Sequence, residues 1–231
     1  MGIHAVRKIE RPILTDGNHV AVAICTTDGE QQHVGLAYRT GALNSVRVVH
    51  LAFHRRLRDD ALEPDAKWMR LADLPVPSPI SRSVAAFCRL VVDRHSTSEI
   101  PYALKHCQTS FDKSDGKLLL GEGEVGLTCA TFVLALTGGI GVRLLEMDSW
   151  PSRYDDTAWQ EKIVEALRSD PKASCEHVAA VESEVGNCVR YRPEEVVAGA
   201  ATGDIPATFS TAAALGEQVL SLLADDFARM T

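Results

Sequence analysis

The sequence predicts an α+β fold: an antiparallel sheet with a cysteine-bearing helix packed on it, plus extra C-terminal helices. Three observations carry this expectation. Residues 19–25, 33–38 and 46–53 (HVAVAIC, HVGLAY and VRVVHLAF) are β-prone runs joined by short polar connections, the pattern of an antiparallel meander. Thr128 stands before Cys129, Ala130 and Thr131, with Phe132, Val133 and Leu136 following, so it can cap a helix that turns an apolar side to a core. Beyond Pro151 the apolar residues recur at helical spacing.

Taken in order, His19 to Cys25 is apolar on both faces, as a strand covered on two sides would be. Thr26 to Gly29 reads as a turn. The next strand alternates, with His33, Gly35 and Ala37 on one face and Val34, Leu36 and Tyr38 on the other. A polar turn over Arg39 to Ser45 leads to the third strand, where His50, Ala52 and His54 share a face. His33 and His50 can therefore lie side by side on neighbouring strands. Arg55, Arg56 and Arg58 read as a solvated strand end.

Leu71 to Pro79 (LADLPVPSP) is expected to be an extended, irregular connection. Ser81 is the expected cap of a helix with Val84, Phe87, Cys88 and Val91 on its buried side. The stretch 100–120 reads as a loop with a turn at Ser114–Gly116, and Leu118 to Leu120 as a short strand or packed loop. Three helical stripes follow: Trp159, Ile163 and Leu167; then Cys175, Val178, Ala179 and Val185; then Leu215, Val219, Leu222, Leu223 and Phe227. Pro193 with Glu194 and Glu195 marks another helix start. The expected division is a core over 1–150 and a helical layer over 151–231 packed on it, the two forming one domain.

The 231 residues carry a net charge of -7, and no Lys/Arg run offers a surface for a nucleic-acid backbone. The first residues hold no apolar signal-peptide block and the chain no apolar run of membrane-spanning length, so a cytoplasmic protein is expected, signal-less secretion remaining open. Six cysteines form no CxxC pair and no zinc-type cluster, so reduced thiols are expected, with neither metal nor cofactor. His95, His106 and Cys107 are a remote metal alternative whose spacing fits no common ligand pattern.

Cys129 is the residue with chemistry in view. A cysteine at a helix N-terminus meets backbone N–H groups and the positive end of the macrodipole, which favour the thiolate. The plain alternative is a buried structural thiol. A nucleophile needs a histidine to take its proton and a third polar group to orient that imidazole. His33 and His50 stand out because they interrupt apolar strands, where an unpaired imidazole is costly. The alternative for each is a half-buried strand histidine satisfied by backbone or water.

His33-Val34-Gly35-Leu36, Val49-His50-Leu51 and Thr128-Cys129-Ala130-Thr131-Phe132-Val133 together resemble the circularly permuted papain-like hydrolases, the NlpC-like and lecithin:retinol-acyltransferase-like group. In that group the histidine strand precedes the cysteine helix. The resemblance implies a permuted papain-like core over 1–150 with Cys129 as nucleophile, His33 as general base and His50 as orienting residue. His54 is the second candidate for that last place. Tyr102 resembles the tyrosine that many relatives set beside the active site. The sequence departs from the pattern at Thr128, where Asn or Asp is frequent, and in the longer spacing from His33 to His50. No hydrophobic anchor follows, which argues against a lipid substrate.

The expected function is a cysteine hydrolase that cleaves an amide in a peptide, isopeptide or cell-wall peptide through a thioester. The alternatives are an acyltransferase using the same Cys-His site and a non-catalytic binding module of the same fold. Tyr102, Gly126 and Thr128 are expected at the substrate, the loop glycines Gly121, Gly123 and Gly126 allowing close backbone approach. Glu122 and Glu124 either select a cationic substrate or are merely solvated. Oligomeric state is not readable.

Overall fold

A computed structural model describes residues 5–14, 17–27, 31–41, 45–64, 67–96 and 100–230. Six strands form one antiparallel sheet: β1 (Val6–Lys8), β2 (Val20–Thr27), β3 (Gln31–Arg39), β4 (Val46–Phe53), β5 (Arg56–Ala61) and β6 (Arg70–Asp73). Their order across it is β1-β6-β2-β3-β4-β5, so the expected meander β2-β3-β4 forms its centre. The expected turns at Thr26–Gly29 and Arg39–Ser45 fall partly outside the described residues. A second, two-stranded sheet pairs β7 (Ser110–Phe111) with β8 (Leu118–Leu119).

Six helices are described: α1 (Ser78–Arg94), α2 (Cys129–Gly139), α3 (Thr157–Arg168), α4 (Cys175–Glu182), α5 (Pro193–Ala201) and α6 (Phe209–Met230). The class is α+β, as the patterning implies, with the cysteine-bearing α2 packed on β3 and β4. Directly opposed residues in antiparallel strands share a face, so Val34, Ile24 and Arg70 point to one side of the sheet. On that side Arg70 meets Asp226 of α6 through two hydrogen bonds of 2.7 and 3.1 Å, with both side chains buried. Helix α5 packs on α6 and on β2, β3 and β6, so the C-terminal helices complete the core of the sheet.

Several local expectations are corrected. Leu71 to Asp73 is strand rather than irregular connection, because β6 finds partners on both sides, β1 and β2. Arg56 and Arg58 belong to β5, paired to β4 through a tight turn in which Arg55 takes φ 52°. That turn and the register shift between Leu51 and Phe53 break the period of two, so His54 does not continue the row of His50. Pro77 and Pro79 start α1 ahead of Ser81, whose hydroxyl instead accepts from the His19 amide at 2.8 Å. Helix α4 stops at Glu182, short of Val185, and Cys175 is exposed. The stripes of α3 and α6 bury Ile163, Leu167, Leu215, Val219 and Leu223, while Phe227 stays exposed.

The Arg70 pair supplies a stability prediction. Asp226→Ala leaves a buried guanidinium without its carboxylate and should cost about 3 kcal/mol, since breaking one side of a buried pair leaves the other charge uncompensated. Urea unfolding of the variant beside the parent measures it.

Candidate functional site

Cys129 is the first residue of α2, and Thr128 caps the helix through a reciprocal arrangement with Thr131. The Thr131 amide donates to the Thr128 hydroxyl at 3.1 Å, and the Thr128 amide donates to the Thr131 hydroxyl at 2.7 Å. The approach to the cap is held by backbone. Leu127 donates to the Pro101 carbonyl at 3.0 Å and Ala103 to Leu127 at 3.3 Å. Gly126 sits so close to Pro101 that an added Cβ would lie 2.5 Å from the carbonyl oxygen. Gly126 thus brings two backbone segments together and does not line the crevice at Cys129.

The sulfur meets β3 where the sheet is interrupted. Pairing of β3 with β4 ends at Leu36 and Val49. Arg39 donates to His19 at 2.9 Å, and bonded pairs alternate along an antiparallel ladder, so the Val34 amide points away from β2. It points to the side that β4 has left, towards the Cys129 sulfur, and favours the thiolate there. Burial raises the thiol pKa, while the Val34 and Ala130 amides, the Arg190 charge and the Tyr102 hydroxyl pull it back down. Tyr102 is buried against Phe53, ring centroids 5.0 Å apart, with its hydroxyl pKa driven well up by burial.

His33 and His50 are brought together as the strand pattern anticipates. Nε2 of His33 lies 2.7 Å from Nδ1 of His50, and Nε2 of His50 lies 3.1 Å from a carboxylate oxygen of Asp60. Just past the last β3–β4 pair His50 lies against Gly35, where an added Cβ would come within 2.9 Å of that of His50. A carboxylate only accepts, so His50 donates from Nε2 and accepts at Nδ1 from Nε2–H of His33. His33 is left with Nδ1 bare, and among the described residues that nitrogen has no hydrogen-bond partner. Trp68 lies across both imidazoles, at 5.6 and 5.1 Å between centroids.

Burial first, and then neighbouring charges including Lys67, lower His33 to about 3. Burial also lowers His50 to about 4, against the raising effect of Asp60. Both rings are neutral near pH 7. His54 lies elsewhere: its Nδ1 accepts from the Tyr102 amide at 3.2 Å and its ring stacks by His177 at 4.5 Å. His50, rather than His54, is the residue that touches His33.

No hydrogen bond joins Cys129 to His33 or His50 among the described residues. By alternation the His33 side chain leaves β3 on the face opposite Val34. The sulfur lies in the gap between the faces, beside the amide of the residue that follows His33. A small crevice opens there, lined among others by Gln31, Gln32, Thr128, Cys129, Trp159 and Arg190.

Sequence reasoning missed Asp60, Trp68, Gln32 and Arg190. Asp60 carried a usable signal: in a β4–β5 hairpin, alternation puts it on the His50 face. The others come from segments whose positions only the tertiary fold sets. Glu124, expected to be solvated or substrate-facing, is buried and accepts from the Cys107 and Gln108 amides at 2.7 and 2.9 Å. Its pKa falls to about 2, those amides and His106 outweighing burial. His95 turns to the Gly116 carbonyl at 3.0 Å, His106 to Glu124, and Cys107 is exposed, so the three do not form one ligand set. Among the described residues no helix is long and apolar enough to cross a membrane. No protein family, curated protein or solved structure matches the chain.

Two outcomes follow from the imidazole pair. Gly35→Ala should displace His50 and destabilise the protein by about 1–3 kcal/mol, as inserted core methyl groups do; thermal melts together with ¹H–¹⁵N imidazole spectra read both effects. The depressed histidines also set a pH dependence. Their unfolded-state value is 6.5 and their folded values are about 3 and about 4, so the unfolded chain binds more protons between these limits. The stability they contribute is present above pH 6.5 and lost as the pH falls towards 3. Urea midpoints should therefore drop from pH 7 to pH 4, and His33→Asn should flatten that slope.

Proposed function

We propose that this chain is a cysteine-nucleophile hydrolase of amide bonds, with Cys129 as nucleophile, His33 as general base and His50 as orienting residue. One observation carries the reading. A hydrogen-bonded series Asp60–His50–His33 fixes the tautomers and leaves a bare Nδ1 on the residue next to Val34, whose amide favours the Cys129 thiolate. The permuted papain-like resemblance of the same residues agrees with this order of parts.

The chemistry is that of acyl transfer. Nδ1 of His33 takes the thiol proton as the sulfur attacks the amide carbonyl carbon. Burial disfavours both thiolate and imidazolium singly, but each stabilises the other when they form together. The oxyanion of the tetrahedral intermediate faces the first turn of α2, where the positive end of the helix dipole favours it. Collapse expels the amine, which receives the proton from His33, and leaves a thioester. Water, deprotonated by the same nitrogen, then releases the acid and restores the thiol. The sulfur and His33 are not in hydrogen-bond contact in the free protein; such contacts commonly tighten only once substrate is bound.

Competitive alkylation tests this. Iodoacetamide at limiting concentration and pH 7 should label Cys129 ahead of exposed Cys107, and His33→Ala should slow labelling of Cys129 by about 10²-fold, the low end of what a positioned base contributes. If Cys129 labels no faster than Cys107 and ignores the loss of His33, the nucleophile reading fails.

A further inference from the structure

Two residues that line the Cys129 crevice each carry an N–H donor with no acceptor among the described residues. Nε of Arg190 and Nε1 of Trp159 are buried and unpartnered among the described residues. The Arg190 guanidinium is stacked on the Trp159 ring at 3.8 Å. Its Nη1 donates to Asp156 at 3.2 Å, and its Nη2 makes no hydrogen bond to any described residue. Asp156 is shared with Arg153 and Arg192, so it does not neutralise Arg190 alone. Nε–H and the neighbouring Nη2–H point the same way along one edge of the plane. That edge is the fork that receives the two oxygens of a carboxylate.

Resting on the reading of Cys129 as nucleophile, we propose that this crevice is a carboxylate subsite, in which Arg190 and Trp159 hold a free carboxylate of the substrate next to the amide that Cys129 attacks. The substrate class is then a peptide or acyl amide with a carboxylate close to the scissile bond, at a chain end or on an acidic side chain. The whole chain carries a net charge of -7, so attraction of an anion has to be local. A single guanidinium with an adjacent neutral donor matches a monoanion. The Arg190 charge also acts on the thiol itself, lowering its pKa against the effect of burial.

Haloacids and their amides test the subsite without a known substrate. In each case the sulfur displaces iodide from the CH₂ carbon and the thiol proton passes to His33. The probes are iodoacetate against iodoacetamide, and 3-iodopropionate against its amide, with labelling at Cys129 and at Cys107 read by peptide mass spectrometry. At Cys129 the acid-to-amide rate ratio should exceed that at Cys107 by about tenfold for at least one pair, the scale of one charge-assisted hydrogen bond. Arg190→Gln should bring the ratio down to the Cys107 value. Arg190→Lys, which keeps the charge but loses the fork, should retain only part of the preference. Equal ratios at the two cysteines overturn the subsite, as does a preference that survives both replacements. Selective amide labelling of Cys129 without acid preference removes the subsite and leaves the nucleophile standing. A Cys129 inert to all four reagents removes both.

Discussion

A strand amide that loses its ladder partner faces whatever packs into the gap, and at Val34 that is the tip of α2 with the Cys129 sulfur. The β3–β4 ladder stops at Leu36 and Val49, and the gap it leaves admits the tip of α2. Everything assembled at the site depends on that opening. The capping threonines set Cys129 at the first helical position, and the extended 100–103 segment, tied to Leu127, brings Tyr102 to the thiol. A ladder continued by two more residues would put a carbonyl where the sulfur now lies.

On the other face, the sheet buries two imidazoles under an indole. Buried imidazoles cost free energy unless their nitrogens are satisfied, and here one row of hydrogen bonds ending on Asp60 does that work for three of the four nitrogens. Direction comes with it. Because the terminal carboxylate cannot donate, every proton in the row is assigned, and the nitrogen left over is Nδ1 of His33. Gly35 makes the row possible by leaving room for the His50 backbone and side chain to close in.

Much of this was legible in the chain itself, for reasons of period and capping. The strands β2, β3 and β4 announce themselves by β-branched runs, and α2 by a threonine cap before an apolar stretch. The adjacency of His33 and His50 follows from alternation alone. The strands β1, β5 and β6 were not legible: β6 is four residues long and runs into prolines, and β5, an edge strand, is mostly charged. His54 was misplaced by a register shift that leaves no mark in residue type. Arg190 and Trp159 meet only through the packing of segments some thirty residues apart, which no local pattern encodes.

Glu184, just beyond α4, accepts from the amides of Leu104 and Lys105 at 2.8 and 3.0 Å, and His177 of α4 reaches the Tyr102 carbonyl at 2.9 Å. The late helices therefore grip the strip of main chain that carries the tyrosine touching the sulfur. A shift of α4 would be transmitted to the thiol's surroundings through two side chains and three main-chain groups. The C-terminal region is in this sense a mount for the main chain beside Cys129.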